Sequence, residues 1–164
     1  MIKIRPYEER DIPFICNTWF RQAWRAVSKS KPNFDTFADA QRAAMAFTLN
    51  RAITSVAYLE SVPDEILGYS ISEPTNNVLH FIYVKKDYRR QGIGAKLLPP
   101  NPAAITKLTF RPNTDGRHFL RRYLPNADFD RHYIPGLMAR AAYLAHRLDA
   151  TDAASRSSSP IIRP

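Results

Sequence analysis

Apolar and polar positions alternate with period two at the start of the chain. Ile2 and Ile4 are apolar, Lys3 and Arg5 are charged, and Pro6 closes the run, which predicts a short strand. From Glu8 the period lengthens. Ile12, Ile15, Cys16, Trp19, Phe20 and Ala23 recur at helical spacing, with Pro13 in the first turn, where no N–H is missed. Residues 28–33 form a polar, Lys-rich loop broken by Pro32. Asp35 or Thr36 suits the cap of a second helix reaching about Asn50, with Phe37, Ala40, Ala44, Phe47 and Leu49 along it.

Period two then returns. Residues 55–60 and 66–72 read as strands joined by a turn at 61–65, and a third strand covers 78–84 after the polar turn 74–77. A short helix at 91–98 is stopped by Pro99, Pro100 and Pro102. A strand at 105–110 follows, and then a helix capped by Thr114 or Asp115 that runs to about Tyr123. Residues 128–134 read as extended, 137–148 as an Ala-rich helix, and 150–164, with its serines, as a disordered tail. Three antiparallel strands followed by a β-α-β crossover predict an α/β (α+β) domain over residues 1–149. Its sheet would be mixed and mostly antiparallel, with helices on both faces.

Composition adds limits. Apolar residues make up 45% and aromatics 12%, a globular balance. No run approaches the ~20 apolar residues of a membrane span. A lone Cys16 excludes an intrachain disulfide, and the first residues lack the apolar stretch of a signal peptide; both point to a cytoplasmic protein. Cys16 itself reads as a small buried hydrophobe. Charge is uneven. Residues 1–84 carry nine Lys/Arg and nine Asp/Glu, whereas 85–164 carry fifteen against six, so the whole net +9 lies in the second half. That asymmetry suits a polyanionic partner, either a phosphorylated cofactor or a nucleic acid, although scattered surface arginines also serve solubility.

The stretch richest in chemistry runs from Val78 to Leu98. A strand ends at Val84, a basic loop follows, and Gly92 and Gly94 open a helix. Unpaired N–H groups at a helix start form an anion cradle, which glycines leave unobstructed and Arg89 and Arg90 flank with charge. These residues describe a pyrophosphate site. The segment resembles the acetyl-CoA motif of the GNAT (Gcn5-related N-acetyltransferase) superfamily. That motif pairs a strand ending L-x-x-I-x-V with R-x-x-G-x-G/A and then Leu-Leu. Leu79, Ile82, Val84, Arg89, Gly92, Gly94, Ala95, Leu97 and Leu98 fall in register. The likeness covers about residues 1–130, through motif at 78–98 and through element order elsewhere.

The resemblance implies acetyl-CoA as cofactor and direct acetyl transfer to a small or peptidic amine. Backbone groups of Ile82 and Val84 would pair with the pantetheine arm. Backbone N–H groups of Arg90, Gln91, Gly92, Gly94 and Ala95 would hold the pyrophosphate, with the Arg89 side chain close by. The fourth and fifth strands, 78–84 and 105–110, would splay to admit the thioester. No spacing of His132 or His146 with acids or cysteines suggests a metal.

Transfer needs a base, and His80 suits it: an imidazole titrates near neutral pH, and alternation places His80 on one face with Val78, Ile82 and Val84. Aralkylamine acetyltransferases, which this strand resembles, carry a histidine at the same position. A half-buried structural histidine would look the same, and Glu73 at the preceding strand end is a second candidate base. Many family members also carry N-x-x-A-x-x-x-Y, whose tyrosine protonates the leaving thiolate. Asn113, Gly116 and Phe119 keep that register, but the tyrosine position holds Leu120, and Tyr123 lies nearly one turn on. Arg117, His118, Arg121 and Arg122 make this helix basic, fit for a 3′-phosphate or a nucleic acid backbone. Trp19, Trp24 and Phe37 either line an acceptor pocket or belong to the core.

Two alternatives stand beside the transferase. The short motif helix and basic second half are similar to small phage-encoded GNAT-like proteins, including Mom-type DNA modifiers, which would make the partner nucleic acid. Loss of the acid tyrosine also fits a GNAT fold that binds CoA without catalysis.

Overall fold

A computed structural model describes residues 1–27 and 33–130. Within them the chain runs β1 (Ile2–Pro6), α1 (Ile12–Val27), α2 (Phe34–Leu49), β2 (Ile53–Leu59), β3 (Val62–Glu73), β4 (Val78–Val84), α3 (Ile93–Leu97), β5 (Lys107–Leu108) and α4 (Thr114–Tyr123). The sheet order is β1-β2-β3-β4-β5. Its first three pairings are antiparallel and β4–β5 is parallel. The expected mixed, mostly antiparallel sheet is the one observed. The expected helix at 137–148 and tail at 150–164 lie outside the described residues, as does most of the loop at 28–33. Of the extended run expected at 128–134, the described part ends at Asp130 and forms no strand.

Both faces of the sheet carry helices. Ile15 and Trp19 of α1 and Met45 and Leu49 of α2 cluster with Val56, Ile66, Tyr69, Ile71 and Phe81 on one face. On the other, Ile93 and Leu97 of α3 pack on Ala57 and Leu67, while Leu120 of α4 and Leu124 just beyond it pack on Leu79, Ile105 and Leu108. Trp19, only 4% exposed and stacked on Phe81 at 5.8 Å, is core rather than pocket lining. Trp24 and Phe37 pack on each other at 5.1 Å, with Phe20 and Phe34 beside them.

Several boundaries differ from expectation for local reasons. Asn33 caps α2 by accepting the Thr36 N–H at 3.0 Å, so Asp35 falls in the first turn, where its charge favours the helix dipole. Asn113 caps α4 in the same way, accepting from the Gly116 N–H at 2.8 Å, which makes Thr114 and Asp115 first-turn residues rather than caps. β3 begins at Val62, with Pro63 at the hairpin end, where a missing N–H is tolerated. The fifth strand is only Lys107–Leu108, not 105–110; Ile105 is buried before the strand begins.

Two irregularities set the side chains of the central strands. Ala57 faces Gly68 but Tyr58 faces Ile66, so Leu67 is an extra residue that turns toward α3 while Ile66 and Tyr69 face α1 and α2. In β4, Ile71 faces Phe81 and Ser72 faces Leu79, which leaves His80 as the extra residue. Gly68 lies where α3 crosses. A Cβ there would sit 2.5 Å from the Tyr83 carbonyl oxygen and 3.3 Å from Leu97 Cδ1. The buried Ser70 hydroxyl donates to the Leu97 carbonyl, tying α3 to the same spot. Gly68→Ala should therefore cost about 1–3 kcal/mol by overpacking, read as a lowered urea midpoint. An unchanged midpoint would contradict so close a crossing.

Candidate active site

The site begins where β4 and β5 part. Pairing stops after Val78↔Lys107 and Leu79↔Leu108, with one further bond from the Thr109 N–H to the Leu79 carbonyl at 3.2 Å. β4 nevertheless continues to Val84, so among the described residues its upper half has no strand on that side. The Lys85 N–H donates to the Leu67 carbonyl at 2.8 Å, continuing the β3–β4 register through Gly68↔Val84, Tyr69↔Tyr83 and Ser70↔Ile82. Bonded and non-bonded pairs alternate along an antiparallel ladder. Tyr83 and Phe81 therefore direct their backbone groups to β3, whereas Val84 and Ile82 direct theirs into the opening. The Arg89 Nε–H donates to the Val84 carbonyl at 3.2 Å, as that orientation requires.

The opening ends on a tight turn. Arg90 has φ +64°, rare for a residue with a Cβ, and Gly92 has φ +78°. Such left-handed residues fold successive N–H groups toward one concave side that suits an anion. The first helical bond is Lys96 N–H to the Gly92 carbonyl at 3.2 Å, so the N–H groups of Ile93, Gly94 and Ala95 have no partner within the helix. Among the described residues nothing lies within 4 Å of where a Gly92 Cβ would be, which leaves open space there. Gly94 is small for a second reason. A Cβ there would meet Phe119 Cζ at 2.8 Å, so the ring of α4 rests on α3 at this glycine. Gln91 reaches back to the Asp87 carbonyl at 3.3 Å.

His80 and Glu73, weighed in the sequence as rival bases, are brought together. His80 Nε2 lies 3.4 Å from Glu73 Oε2, and Asn76 Nδ2 donates to the other Glu73 oxygen at 2.6 Å. On its far side, His80 Nδ1 lies 3.4 Å from Thr109 Oγ1, whose hydroxyl donates to the His80 carbonyl at 3.0 Å. The His80 side chain is 4% exposed and that of Glu73 19%. Burial pulls the His80 pKa below the ordinary histidine value and Glu73 restores only part of it, which favours the neutral imidazole.

The bulge corrects one expectation: Leu79, not Val78, shares a face with Ile82, since both pack in the cluster under α4. Leu120, at the family's tyrosine position, is fully buried in that cluster and offers no proton. Tyr123 packs its ring on Phe119 at 4.9 Å, with Arg122 over its face, so α4 brings it toward the Gly94 side and not into the Glu73–His80–Thr109 group.

Several basic residues have partners within the fold. Arg117 donates to the Phe129 carbonyl and lies 3.5 Å from Asp130, Arg121 covers Phe129, and Lys85 sits between Glu65 and the Phe14 ring. A groove of about 520 Å³ beside the start of α1, lined by Arg10, Asp11, Phe14, Asp64, Glu65, Ile66 and Lys85, is likewise filled with paired charges. Thr109 escaped the sequence reading, and so did the packing of Phe119 on Gly94. Thr109 carried one signal, since alternation from the buried Leu108 puts it on the opposite face, beside β4.

Residues 24–107, just over half of the chain, match the acetyltransferase (GNAT) domain family. No curated protein matches the chain. Among solved structures, a predicted acetyltransferase with acetyl-CoA from Clostridium acetobutylicum is 18% identical, with 84% of this chain and 97% of that chain covered and a TM-score of 0.51. The ribosomal-protein-alanine N-acetyltransferase of Brucella melitensis biovar Abortus 2308 is 20% identical over 82% of this chain and 98% of its own, at TM-score 0.48. A GCN5-related N-acetyltransferase from Rhodopseudomonas palustris is 21% identical at TM-score 0.40; the match covers 58% of this chain and 59% of that one, less than two thirds of its length. For the Clostridium protein, at 18% identity, the likeness is one of fold.

Proposed function

The chain belongs to the GNAT acetyltransferase family, and on that footing we propose that it transfers the acetyl group of acetyl-CoA to an amine, small or peptidic. The observation that carries this reading is the upper half of β4. Ile82 and Val84 turn their backbone groups away from β3 into the opening, where the Val84 carbonyl accepts from Arg89, and the strand leads directly into a turn with two left-handed residues and an open space at Gly92. A strand edge followed by an anion cradle suits a ligand with an amide-bearing arm and a pyrophosphate at its end. The residues present fit acetyl-CoA. Ile82 and Val84 would pair with its arm; Arg90, Gln91, Gly92, Gly94 and Ala95 would face its pyrophosphate with backbone N–H groups, with Arg89 beside them. When bound, acetyl-CoA supplies an acyl group activated as a thioester.

The chain's own part is to hold the amine and remove its proton. His80, favoured in its neutral form, is the base, and Glu73 orients the ring and steadies its charge once a proton arrives. Tyr123 is the phenol of α4 and the candidate donor for the departing group. No helix among the described residues is long and apolar enough to cross a membrane.

The test is thiol release from acetyl-CoA across a panel of primary amines and amino-terminal peptides. Amine-dependent release, with the acetylated amine seen by mass spectrometry, is expected for at least one class. CoA bound by folded protein with no transfer to any amine would favour the non-catalytic alternative.

A further inference from the structure

His80 is too deep to meet a substrate directly: the residue is 3% exposed, and its Nε2 faces Glu73. A base needs a path for the proton, and one group supplies it. Thr109 is the last residue bonded to β4 before the chain turns away, so it stands at the apex of the opening, and it is only partly buried. Its single hydroxyl oxygen is within reach of two acceptors, the His80 carbonyl at 3.0 Å and Nδ1 of the same residue at 3.4 Å. We propose that Thr109 is a catalytic hydroxyl relay, touching the acceptor amine in the opening and passing its proton to Nδ1 of the buried His80.

This rests on the transferase reading above. The charged group acting on His80 is Glu73, which attracts the hydrogen of the neutral ring to Nε2 and leaves the Nδ1 lone pair toward Thr109. At rest the Thr109 hydrogen lies on the His80 carbonyl. In the transfer step an N–H bond of the protonated amine breaks as a new O–H bond forms at Thr109 Oγ1. The original Thr109 O–H breaks as Nδ1–H forms, and the amine nitrogen keeps the electron pair with which it attacks. The resulting imidazolium has an oxygen acceptor at each ring nitrogen, Glu73 at Nε2 and Thr109 at Nδ1. Neither contact requires a side chain to move; the hydroxyl rotates.

Thr109→Val keeps the shape and removes the hydroxyl, and Thr109→Ser keeps the hydroxyl. With any amine that the wild type acetylates, Thr109→Val should lower kcat about 10²-fold, with CoA affinity unchanged, and Thr109→Ser should recover most of it. The Thr109→Val rate should also climb about tenfold per pH unit where the amine titrates in solution, whereas the wild-type rate stays flat above the His80 limb. Ring-nitrogen NMR of wild-type protein without ligand should show the neutral His80 hydrogen on Nε2. A hydrogen on Nδ1 in an active wild type would overturn the relay alone, and so would wild-type kcat and pH profile in Thr109→Val. No acetylation of any amine by the wild type would overturn the transferase reading, and the relay with it.

Discussion

Replacing His80 by alanine is expected to lower the rate of acetyl transfer by roughly 10²–10⁴ while CoA affinity stays within about twofold. The two effects separate because His80 sits at the bulge of β4, whereas the cradle lies beyond Val84. Burial, the larger influence, lowers the His80 pKa, and Glu73 only partly raises it. The folded-state value therefore falls below the ordinary ~6.5. The wild-type rate should fall as pH drops through that lower value, where the ring takes up a proton and ceases to be a base. In His80→Ala that acid limb should vanish with the rate. A variant that kept both the rate and the limb would show that His80 is structural and would return the role of base to Glu73.

Charge placed in the cradle should act just as strongly, but on binding. Gly92→Asp is the informative change, compared with Gly92→Asn. Asp and Asn both tolerate the left-handed backbone at φ +78°, and the space beyond the α-carbon is open, so neither should disturb the fold much. Asparagine adds bulk; aspartate adds bulk and a negative charge facing a pyrophosphate. Two like charges about 4 Å apart repel by about 4 kcal/mol at an effective dielectric of 20, so Gly92→Asp should lose at least ~10²-fold in CoA affinity beyond Gly92→Asn. Calorimetry on the three proteins measures it. Equal affinities in the two variants would place the phosphates elsewhere.

The motif was legible because each of its spacings has a structural cause. Counting back from Val84, L-x-x-I-x-V steps two residues to Ile82 and then three to Leu79; the extra residue is the bulge, which returns Leu79 to the Ile82 face. Plain alternation had grouped Val78 with Ile82 because period two cannot register an inserted residue. Glu73 and His80 looked like rivals because seven positions separate them. The 74–77 turn folds β3 onto β4 so that Glu73 pairs with Val78, and the rivals become neighbours. Thr109 was hidden for the opposite reason. Its partner is far away in sequence, and β5 is only two residues long, so alternation from Leu108 gives its face but not its partner. Helix caps were missed by one to three positions because several nearby residues, Asn33 and Asp35 or Asn113 and Asp115, all favour helix starts, and only geometry selects among them. The basic second half read as a polyanion surface, but side-chain contacts with Glu65, Asp130 and Phe129 engage part of it.

The proposed place of CoA is along the edge of β4 beyond β5 and in the turn after it. Amide chemical-shift mapping of the wild-type protein titrated with CoA tests this most directly, since each backbone N–H reports for itself. Saturable shifts are expected at micromolar CoA, roughly −8 kcal/mol, centred on Ile82, Val84, Arg90, Gln91, Gly92, Gly94 and Ala95. Shifts confined to the groove around Phe14, Asp64 and Lys85, or none at millimolar CoA in a well-dispersed spectrum, would contradict it.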